Sequence, residues 1–524
     1  MNASSSTPGT GLQFTHPYLA VVLGGGFTGM LAAAALSEYA EVIVVERERL
    51  PRTPALPTDL PHARHAHLLT SDGARMVEAL VPGGVERWLA EGARRVPVPA
   101  ELAGRASLGR LDRRCPPHLI ACSRDLLDRV IRRQVPTRPG VAVIDGTEAE
   151  ELTGTAEHVT GVRVRDTTTG ETYRLDADLV VDATGRHSTS RARLAALGLP
   201  RVGEDRADSA IVSATRIFRA PEGAENLPVL TSRSGLTVPP PGPSGAARAA
   251  AGRTLPVRAV PERTATLVPI EGGRWLVTLT GTGEDRPTQH AGRFVPFARR
   301  AGDPRIGDLI AGAEPLSEVR LSRDTVNRRR RFEQLPSWPS GFLALGGAVA
   351  ALSPDFGQGL SLAAHGATAL REALARYGMD DPALARRVQR TIGRLVDELW
   401  SVAIGVPGHS PAAGRTTVCR AYVDAVTGGP RPAPFLRGPA ALAMLRDAAR
   451  TRPVTGTADW EASPLPVPPA AQPTASGAPP EASPTAAAAP SAVSAVPTAR
   501  RPLGFRPTAL RRIGGAGRRK PAEG

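Results

Sequence analysis

The sequence predicts a mixed α/β fold in which a parallel sheet layer is interrupted by an antiparallel sheet and completed late in the chain. Three observations lead to this prediction. The chain opens with a strand, a helix and a second strand, its middle alternates in hairpin patterns, and a further strand and a long helix follow residue 341. A helical C-terminal part and a disordered tail complete the predicted organisation.

The opening strand–helix–strand unit is predicted from two apolar runs and the Ala/Leu-rich segment between them. Leu19 to Leu23 forms the first strand, Met30 to Tyr39 the helix and Val42 to Val45 the second strand. Both runs are short and continuously apolar, which is typical of strands buried on both faces of a parallel sheet.

The later elements follow from alternation, turn residues and helical spacing. A hairpin with its turn at residues 166–170 is predicted over Val162 to Arg165 and Thr172 to Leu175, with a strand at Leu179 to Val181 after it. The antiparallel sheet is predicted from Ile211 to Phe218, Thr264 to Ile270 and Trp275 to Thr280. The remaining predictions are a strand at Phe342 to Leu345 and helices at Gly359 to Tyr377, Ala383 to Val402 and Pro439 to Arg450.

The basic residues of this chain are almost all arginine. Of the 65 Lys+Arg residues among 524, Lys520 is the single lysine, so no lysine before it can serve as a P-loop, Schiff-base or general-acid group. The arginine bias reflects codon composition rather than nucleic-acid binding. With five Tyr and five Trp, scattered along the chain, no base-stacking surface for nucleic acid is predicted.

Both ends of the chain are predicted to lack packed structure. Residues 1–17 are expected to be flexible, and residues 451–524 form a Pro/Ala-rich tail that ends in an arginine-rich patch. We interpret the tail as a solubilising extension, with docking to an acidic carrier domain or a membrane surface as the alternative. A loose surface loop is predicted over Ser232 to Arg258.

The cysteines and the apolar runs indicate a cytoplasmic protein. Cys115, Cys122 and Cys419 are odd in number and widely spaced, so neither a disulfide framework nor a zinc site is predicted. A signal-peptide pattern and an apolar run long enough to span a membrane are both missing from the sequence.

A glycine-rich turn carries the strongest chemical signal. Gly24, Gly26 and Gly29 form a GxGxxG pattern directly after the first strand and at the start of the helix. Gly24 is expected to allow the tight turn, Gly26 to let a pyrophosphate approach the backbone, and Gly29 to let helix and strand pack closely. Glu46 ends the second strand, where an acid accepts hydrogen bonds from ribose hydroxyls and disfavours a 2′-phosphate. The pattern predicts a dinucleotide site at the helix N-terminus.

Three later segments resemble motifs of FAD-dependent monooxygenases with the para-hydroxybenzoate hydroxylase fold. Residues 122–127 (CSRDLL) resemble that family's SRxxL helix start, and residues 182–188 (DATGRHS) resemble its DATGRxS turn. Residues 342–348 (FLALGGA) and 354–360 (PDFGQGL) resemble its LxGDA and PxxGxG pair. The resemblance implies a Rossmann-type FAD-binding domain with an inserted antiparallel-sheet substrate domain.

The resemblance also implies domain boundaries and a set of cofactor-binding residues. The FAD-binding domain is predicted over residues 18–200 and 336–450, and the substrate domain over 201–335. The predicted FAD-binding residues are Gly24, Gly26, Phe27, Thr28, Gly29, Glu46, Arg47, Arg124, Asp182, Gly185, Gly347, Pro354, Gly357 and Gly359. No catalytic side chain is assigned, because the cofactor supplies the difficult chemistry. Gly347 stands where the family has an aspartate, so FAD is expected to be bound more loosely or by another group, for which Asp355 in the adjacent loop is a candidate. The same departure favours a descendant without redox chemistry.

Residues 60–69, 80–83 and 327–333 more closely resemble the flavoprotein epoxidases of polyketide (polyether) biosynthesis. This resemblance implies an enzyme that epoxidises or hydroxylates a hydrophobic polyketide-type substrate with O2 through a flavin C4a-(hydro)peroxide. The electrons are expected from NAD(P)H, directly or through a flavin reductase, and a carrier protein is a further candidate partner. The alternative is a cyclase that uses FAD as a scaffold without redox chemistry. A flavin halogenase needs a lysine in mid-chain, and the sequence has none there.

Three further clusters are interpreted as structural. His62, His65 and His67 have metal-ligand spacing but no nearby carboxylate or cysteine, so no metal site is predicted. The run Arg328 to Arg331 is interpreted as a solvated strand edge, with an anion-binding patch as the alternative. Ser188 and Ser190 adjoin His187 in sequence and are not expected to form a catalytic triad with it.

Overall fold

The structure, a computed structural model, describes residues 16–50, 68–97, 118–208, 210–225, 227–234, 263–323, 326–352 and 359–403. The strands in the first half of this part are β1 (Leu19–Leu23), β2 (Glu41–Val45), β3 (Leu68–Thr70), β4 (Arg94–Pro97), β5 (His118–Ala121), β6 (Val141–Ile144), β7 (Thr147–Gly154), β8 (Val159–Asp166), β9 (Thr172–Asp176) and β10 (Leu179–Asp182). Those in the second half are β11 (Glu204–Asp208), β12 (Val212–Arg219), β13 (Leu230–Ser234), β14 (Arg263–Ile270), β15 (Arg274–Gly281), β16 (Arg320–Ser322), β17 (Val326–Arg330), β18 (Phe342–Ala344) and β19 (Ala350–Ala351).

The helices lie mainly in the first and last thirds of the described chain. They are α1 (Phe27–Leu36), α2 (Ser71–Leu80), α3 (Gly84–Ala90), α4 (Arg124–Gln134), α5 (Ser190–Ala196), α6 (Ala291–Arg300), α7 (Arg305–Ala311), α8 (Gly359–Tyr377) and α9 (Leu384–Ala403). Short 3-10 turns follow two of the strands, at Gly185–His187 after β10 and at Gly346–Ala348 after β18. Among the described residues, no helix is long and apolar enough to cross a membrane.

A five-stranded parallel sheet with the order β18-β10-β1-β2-β6 forms the first layer. Its strands are apolar along their length, and helices α1 and α8 pack against each other beside it. Leu23 is paired with Asp182, and Asp182 with Ala344, so three strands end at the same level. The loops after these strands therefore meet at the carboxyl edge of the sheet, the usual place for ligands in such folds.

A five-stranded antiparallel sheet with the order β13-β14-β15-β12-β16 forms a second body with its own core. Alternate residues on one face, among them Phe218 and Trp275, pack with Phe294 and Phe297 of α6. The indole N–H of Trp275 donates to the carbonyl of Ala224 at 3.1 Å, which satisfies the one polar atom of this buried ring. This sheet and its helices lie between two segments of the parallel layer in sequence.

Three small antiparallel sheets surround these two bodies. Their orders are β3-β5-β4, β7-β8-β9 and β11-β17-β19. The last one joins β11, which precedes the large antiparallel sheet in sequence, to β17, which follows it. The chain therefore enters and leaves the large antiparallel sheet through two paired strands, β11 and β17.

The predicted fold class is confirmed: a parallel layer is interrupted by an antiparallel sheet and completed by β18 and α8. For the described elements that the sequence predicted, the predicted and observed bounds agree within one or two residues, with two exceptions. Strand β8 begins at Val159 instead of Val162, and α1 begins at Phe27 instead of Met30 and ends at Leu36. Helix α1 begins earlier because Gly26, the last residue of the glycine-rich turn, is already its N-cap. The large antiparallel sheet lies within predicted residues 201–335, although these domain boundaries stay predictions.

The interpretation of Arg328 to Arg331 as a solvated strand edge is wrong for its middle two residues. Arg329 is 1% exposed and Arg330 is 2% exposed. The reason is topological, because β17 is the middle strand of its sheet and has β11 on one side and β19 on the other. Both arginines are paired with carboxylates, as buried charges require.

Several predictions lie outside the described residues. These are residues 1–15 of the N-terminus, the three histidines His62, His65 and His67, most of the loop Ser232 to Arg258, the segment with Pro354, Asp355 and Gly357, the helix Pro439 to Arg450, and the tail from Thr451 to Gly524.

Candidate functional site

The glycine-rich turn has the geometry that its three predicted roles require. Gly24 has φ +99°, and a Cβ there would lie 2.8 Å from the carbonyl oxygen of Ala183. A Cβ on Gly29 would lie 1.8 Å from the carbonyl oxygen of Gly24, so helix and turn touch at that point. Within the described part of the chain, a Cβ on Gly26 would meet nothing within 4 Å. Gly26, which has open space beside it, is the glycine predicted to face a pyrophosphate. Gly24 and Gly29, which have close neighbours, are those predicted to allow the tight turn and the close packing of helix and strand.

The N-terminus of α1 is suited to an anion. Gly26 is the N-cap, no side chain caps the helix, and its first turn contains no acidic residue. Free backbone N–H groups and the positive end of the helix dipole therefore remain available for phosphate oxygens. Phe27 could contact a cofactor only through its backbone, because its ring is 1% exposed and packs against Trp88.

Glu46 lies at the end of β2, beside the glycine-rich turn. Its carboxylate accepts hydrogen bonds from the N–H of Gly25 at 2.6 Å and from that of Glu48 at 2.9 Å. The Glu46 side chain therefore fixes the conformation of the glycine-rich turn. Arg47 is exposed and pairs with Glu48 at 3.1 Å. The predicted ribose contact of Glu46 and the cofactor contact of Arg47 stay predictions.

Helix α4 brings Arg124 next to the glycine-rich turn. Ser123 caps this helix by accepting from the N–H of Leu126 at 3.1 Å. The guanidinium of Arg124 lies over the ring of Phe27, 5.4 Å from its centre, and its Nε donates to Asp128 at 2.9 Å. The side chain of Arg124 is therefore fixed beside Phe27, the residue that follows the glycine-rich turn.

Arg132 is a site residue that the sequence analysis did not identify. Its Nε donates to the carbonyl oxygen of Gly25 at 2.9 Å and so fixes the glycine-rich turn from the opposite side to Glu46. Its position in the sequence could have indicated this role, because Arg132 follows Arg124 by eight residues and lies on the same side of the helix.

Asp182 organises the turn that follows β10. One of its carboxylate oxygens accepts from the backbone N–H and the hydroxyl of Thr184, and the other accepts from the hydroxyls of Ser188 and Ser190. The residue is fully buried. Because both carboxylate oxygens are used within the chain, Asp182 can act on a cofactor through the turn that it holds. Ser188 and Ser190 bond to this carboxylate directly, in an arrangement without a histidine between them.

Glycines bring the three loops at the sheet edge into mutual contact. Gly24 lies against Ala183, as described above. A Cβ on Gly346 would lie 2.7 Å from the hydroxyl of Thr28. A Cβ on Gly347 would lie 3.2 Å from Cα of Gly185 and 3.3 Å from the backbone nitrogen of Arg186. The loops after β1, β10 and β18 therefore form one continuous cradle.

Open space lies beside this cradle as well as at Gly26. A Cβ built on Gly185 or on Gly359 would meet no atom of the described residues within 4 Å. Gly359 is the first residue of α8, and Gly185 has φ +78°. The residues fit a dinucleotide such as FAD, because backbone N–H groups and glycines, not bulky side chains, line its surface.

The antiparallel sheet has a second face, opposite to the face that packs against α6. Its alternate residues carry hydroxyls, and Thr215 contacts Thr278 at 3.0 Å while Thr231 donates to Thr266 at 3.3 Å. Val268 and Leu276, which are buried, lie on the same face. Such a face, with hydroxyls beside apolar side chains, is suited to a largely apolar ligand with a few hydrogen-bonding groups.

A family model and a curated relative match a large part of this chain. Residues 18–244 match the model of an FAD binding domain, which includes the glycine-rich turn, α4 and the Asp182 turn. The matched residues also include β12 and β13 of the antiparallel sheet. Protein Rv3254 of Mycobacterium tuberculosis is 28% identical over 409 residues, which cover 74% of this chain and 79% of the relative.

Two solved structures share the fold over most of this chain. The flavin-dependent brominase Bmp2 has a TM-score of 0.51 at 18% identity, covering 83% of this chain and 99% of that one. PqsL of Pseudomonas aeruginosa, described as a probable FAD-dependent monooxygenase, has a TM-score of 0.51 at 18% identity, covering 77% and 100%. At these identities the likeness shows the fold alone.

Proposed function

We propose that this chain, whose residues 18–244 match the model of an FAD binding domain, is a flavin-dependent monooxygenase that acts on a hydrophobic natural-product intermediate of the polyketide type. The proposed reaction inserts one oxygen atom from O2 by epoxidation or hydroxylation. The observation that carries the proposal is the cradle of three loops at the edge of the parallel sheet, with a separate antiparallel sheet docked beside it.

Different residues of the cradle would bind different parts of FAD. The open backbone at Gly26 and the N-terminus of α1 would hold the pyrophosphate, Glu46 the ribose, and the Arg124 guanidinium would balance phosphate charge. Gly185, Gly347 and Gly359 would let the isoalloxazine ring approach the backbone. When bound, FAD supplies the redox chemistry with O2, and the chain orients the substrate and excludes water.

The hydroxyl-bearing face of the antiparallel sheet would form a wall of the substrate site. The turn at Glu271–Gly273, which joins β14 to β15, lies against the start of α4, and so the sheet reaches the FAD-binding domain next to Arg124. Val268 and Leu276 place buried apolar side chains near this turn, and the threonines place hydroxyl groups farther along the strands. This combination supports a mainly apolar substrate.

The electron source and the partners belong to the same proposal. We propose NAD(P)H as the electron source, directly or through a flavin reductase, and a soluble polyene or a carrier-bound polyketide as substrate. Oxidation of NADPH by the purified protein with FAD would identify direct reduction. A rate that appears only when a flavin reductase is added would identify the indirect route.

The deciding experiment follows the oxygen atom. The purified protein with FAD is reduced anaerobically, mixed with a candidate polyene and exposed to isotopically labelled O2, and the product is analysed by mass spectrometry. A product heavier by one labelled oxygen atom supports the monooxygenase. A product of unchanged mass, formed equally well with oxidised FAD, would contradict it and would instead identify a cyclase that uses FAD as a scaffold.

A further inference from the structure

Arg330 joins two of the three loops that form the cradle. It is the last residue of β17, and its side chain is 3% exposed. Nη1 donates to the carbonyl oxygens of Ala348 at 2.8 Å and Gly347 at 3.3 Å, which belong to the turn after β18. Nη2 donates to the carbonyl oxygens of Arg186 at 2.8 Å and Ser188 at 3.4 Å, in the turn after β10. One planar group therefore holds both turns at once.

The buried charge of Arg330 is balanced from the side away from the turns. Glu204 lies 3.3 Å from Nε, and its carboxylate also pairs with Arg191 at 3.1 Å. Burial lowers the pKa of Arg330, whereas the carboxylates of Glu204 and Asp182 raise it. A guanidinium stays protonated under such conditions, so all its N–H groups remain donors.

The two turns approach each other where both lack a side chain. Gly347 and Gly185 face one another, and a Cβ at 347 would lie at the lower limit of real contacts. No side chain therefore lies directly between the turns at this point, and their separation depends on what holds their carbonyl groups. Arg330 is the side chain that bonds to both turns among the described residues.

We propose that Arg330 is a positioning residue of the flavin site, which holds the turns Gly185–His187 and Gly346–Ala348 at the separation that FAD binding requires. The guanidinium acts on the cofactor through four backbone carbonyls and not by touching it. Its rigid fork suits this task, because one ammonium group cannot reach carbonyls on both turns in the same way. The inference rests on the FAD-binding domain and not on the proposed oxygenation.

The test compares Arg330 variants with an equally buried neighbour. Arg329 precedes Arg330 on β17, is 1% exposed, and pairs with Glu333 and Asp397 instead of the turns. The full-length proteins are stripped of flavin, and FAD affinity and the visible spectrum of the bound flavin are measured for Arg330→Lys, Arg330→Met and Arg329→Met. We expect Arg330→Met to bind FAD about ten- to a hundredfold more weakly, with Arg330→Lys between it and wild type.

The spectrum separates a positioning role from a general loss of stability. We expect the visible bands of the flavin to shift in both Arg330 variants, because the ring environment changes when the turns move. Arg329→Met should lower the unfolding midpoint while leaving FAD affinity within about twofold of wild type. Arg331→Met, which loses a pair with Asp205, serves as a second control if Arg329→Met does not fold.

Gly347→Ala approaches the same question without removing a hydrogen bond, because one methyl group is added between the turns. We expect it to weaken FAD binding and to shift the spectrum in the same direction as Arg330→Lys. The inference would be overturned if Arg330→Lys and Arg330→Met both had the FAD affinity and the spectrum of wild type. It would also be overturned if Arg329→Met lost as much FAD affinity as Arg330→Met. A wild-type protein that binds FAD without oxygenating a substrate would overturn the proposed reaction alone.

Discussion

The hydroxyl of Ser123 donates a hydrogen bond of 2.5 Å to the carboxylate of Glu271, and the backbone N–H of Ser123 donates to the same carboxylate at 3.0 Å. Ser123 is the N-cap of α4 in the FAD-binding domain, and Glu271 begins the turn between β14 and β15. A single carboxylate therefore ties the antiparallel sheet to the helix that carries Arg124. Arg94, which donates to the carbonyl of Leu227 at 2.9 Å, provides a second link nearby.

We expect Glu271→Ala to lower the free energy of unfolding by about 1.5–3 kcal/mol, because two donors of Ser123 lose a charged acceptor in a largely buried place. Urea denaturation of the full-length protein measures this change. Glu314→Ala is the matched control, since Glu314 pairs with Arg219 at 2.7 Å on the exposed surface. That control should change the free energy by less than about 0.5 kcal/mol. Equal effects of the two substitutions would contradict a link between the domains.

Gly26→Glu is expected to abolish FAD retention while leaving the apoprotein folded. The new side chain would extend into the space where we place the pyrophosphate, and its negative charge would repel the phosphates. No atom of the described residues lies within 4 Å of the added Cβ, so we expect the fold to accept a side chain at this position. Thermal unfolding of the apoprotein and flavin absorbance after gel filtration are the two measurements.

The control for this substitution is Gly292→Glu. Gly292 lies in the first turn of α6 and is exposed, and a Cβ there also meets nothing within 4 Å. It adds the same charge and volume far from the glycine-rich turn, so FAD retention should equal that of wild type. Retention of FAD by Gly26→Glu would show that the pyrophosphate binds elsewhere.

The parts of the site that are local in sequence were predictable from it. The roles of Gly24, Gly26 and Gly29 follow from their spacing after a strand, and the structure gives each one the contacts or the open space expected. Most strands of the two large sheets were also predicted, because apolar runs and alternation are properties of a few consecutive residues. Strands β6, β13 and β16 were missed, and residues 232–234, predicted to begin a loop, belong to β13. Glu46 was assigned in the same way, from its place at the end of a strand, and its contact with a ribose stays a prediction.

The parts that depend on distant contacts were not predictable. Arg330 bonds to carbonyls more than 140 residues away in sequence, at Arg186 and Ser188, and nothing in a run of four arginines distinguishes it from its neighbours. The burial of Arg329 and Arg330 follows from the position of β17 in the middle of its sheet, which sequence patterns do not reveal. Asp182 was assigned to the cofactor site from a motif, and only the structure shows that its carboxylate bonds within the turn.

We expect Gly347→Asp to weaken FAD binding, although an aspartate stands at the matching position of the family motif. In this chain a Cβ at 347 would lie 3.2 Å from Gly185 and 3.3 Å from the backbone of Arg186, so the new side chain would push the two turns apart. FAD titration of the apoprotein measures the effect. Tighter binding by Gly347→Asp would show that the turns can separate at little cost and that an added carboxylate helps to bind FAD.

Glu204 makes the stability of the region around Arg330 depend on pH. Burial would raise the pKa of Glu204, but the hydrogen bond from Arg206 and the charges of Arg191 and Arg330 outweigh it and lower the pKa below its usual value. A carboxyl whose pKa is lowered on folding stabilises the folded state above its unfolded pKa, which is about 4.3. This contribution is lost as the pH falls from there through the folded value.

Glu204→Gln is therefore expected to be clearly less stable than wild type at pH 7, and the difference should shrink as the pH falls below about 4.3. At low pH the wild-type carboxyl is protonated and, like the amide, carries no charge to balance Arg330. Urea unfolding at a series of pH values between 3 and 7 measures the difference at each point. Glu314→Gln, in an exposed ion pair, should show a small difference throughout. A difference for Glu204→Gln that does not change with pH would mean that its charge does not stabilise this region, and that Arg330 is held by the backbone carbonyls alone.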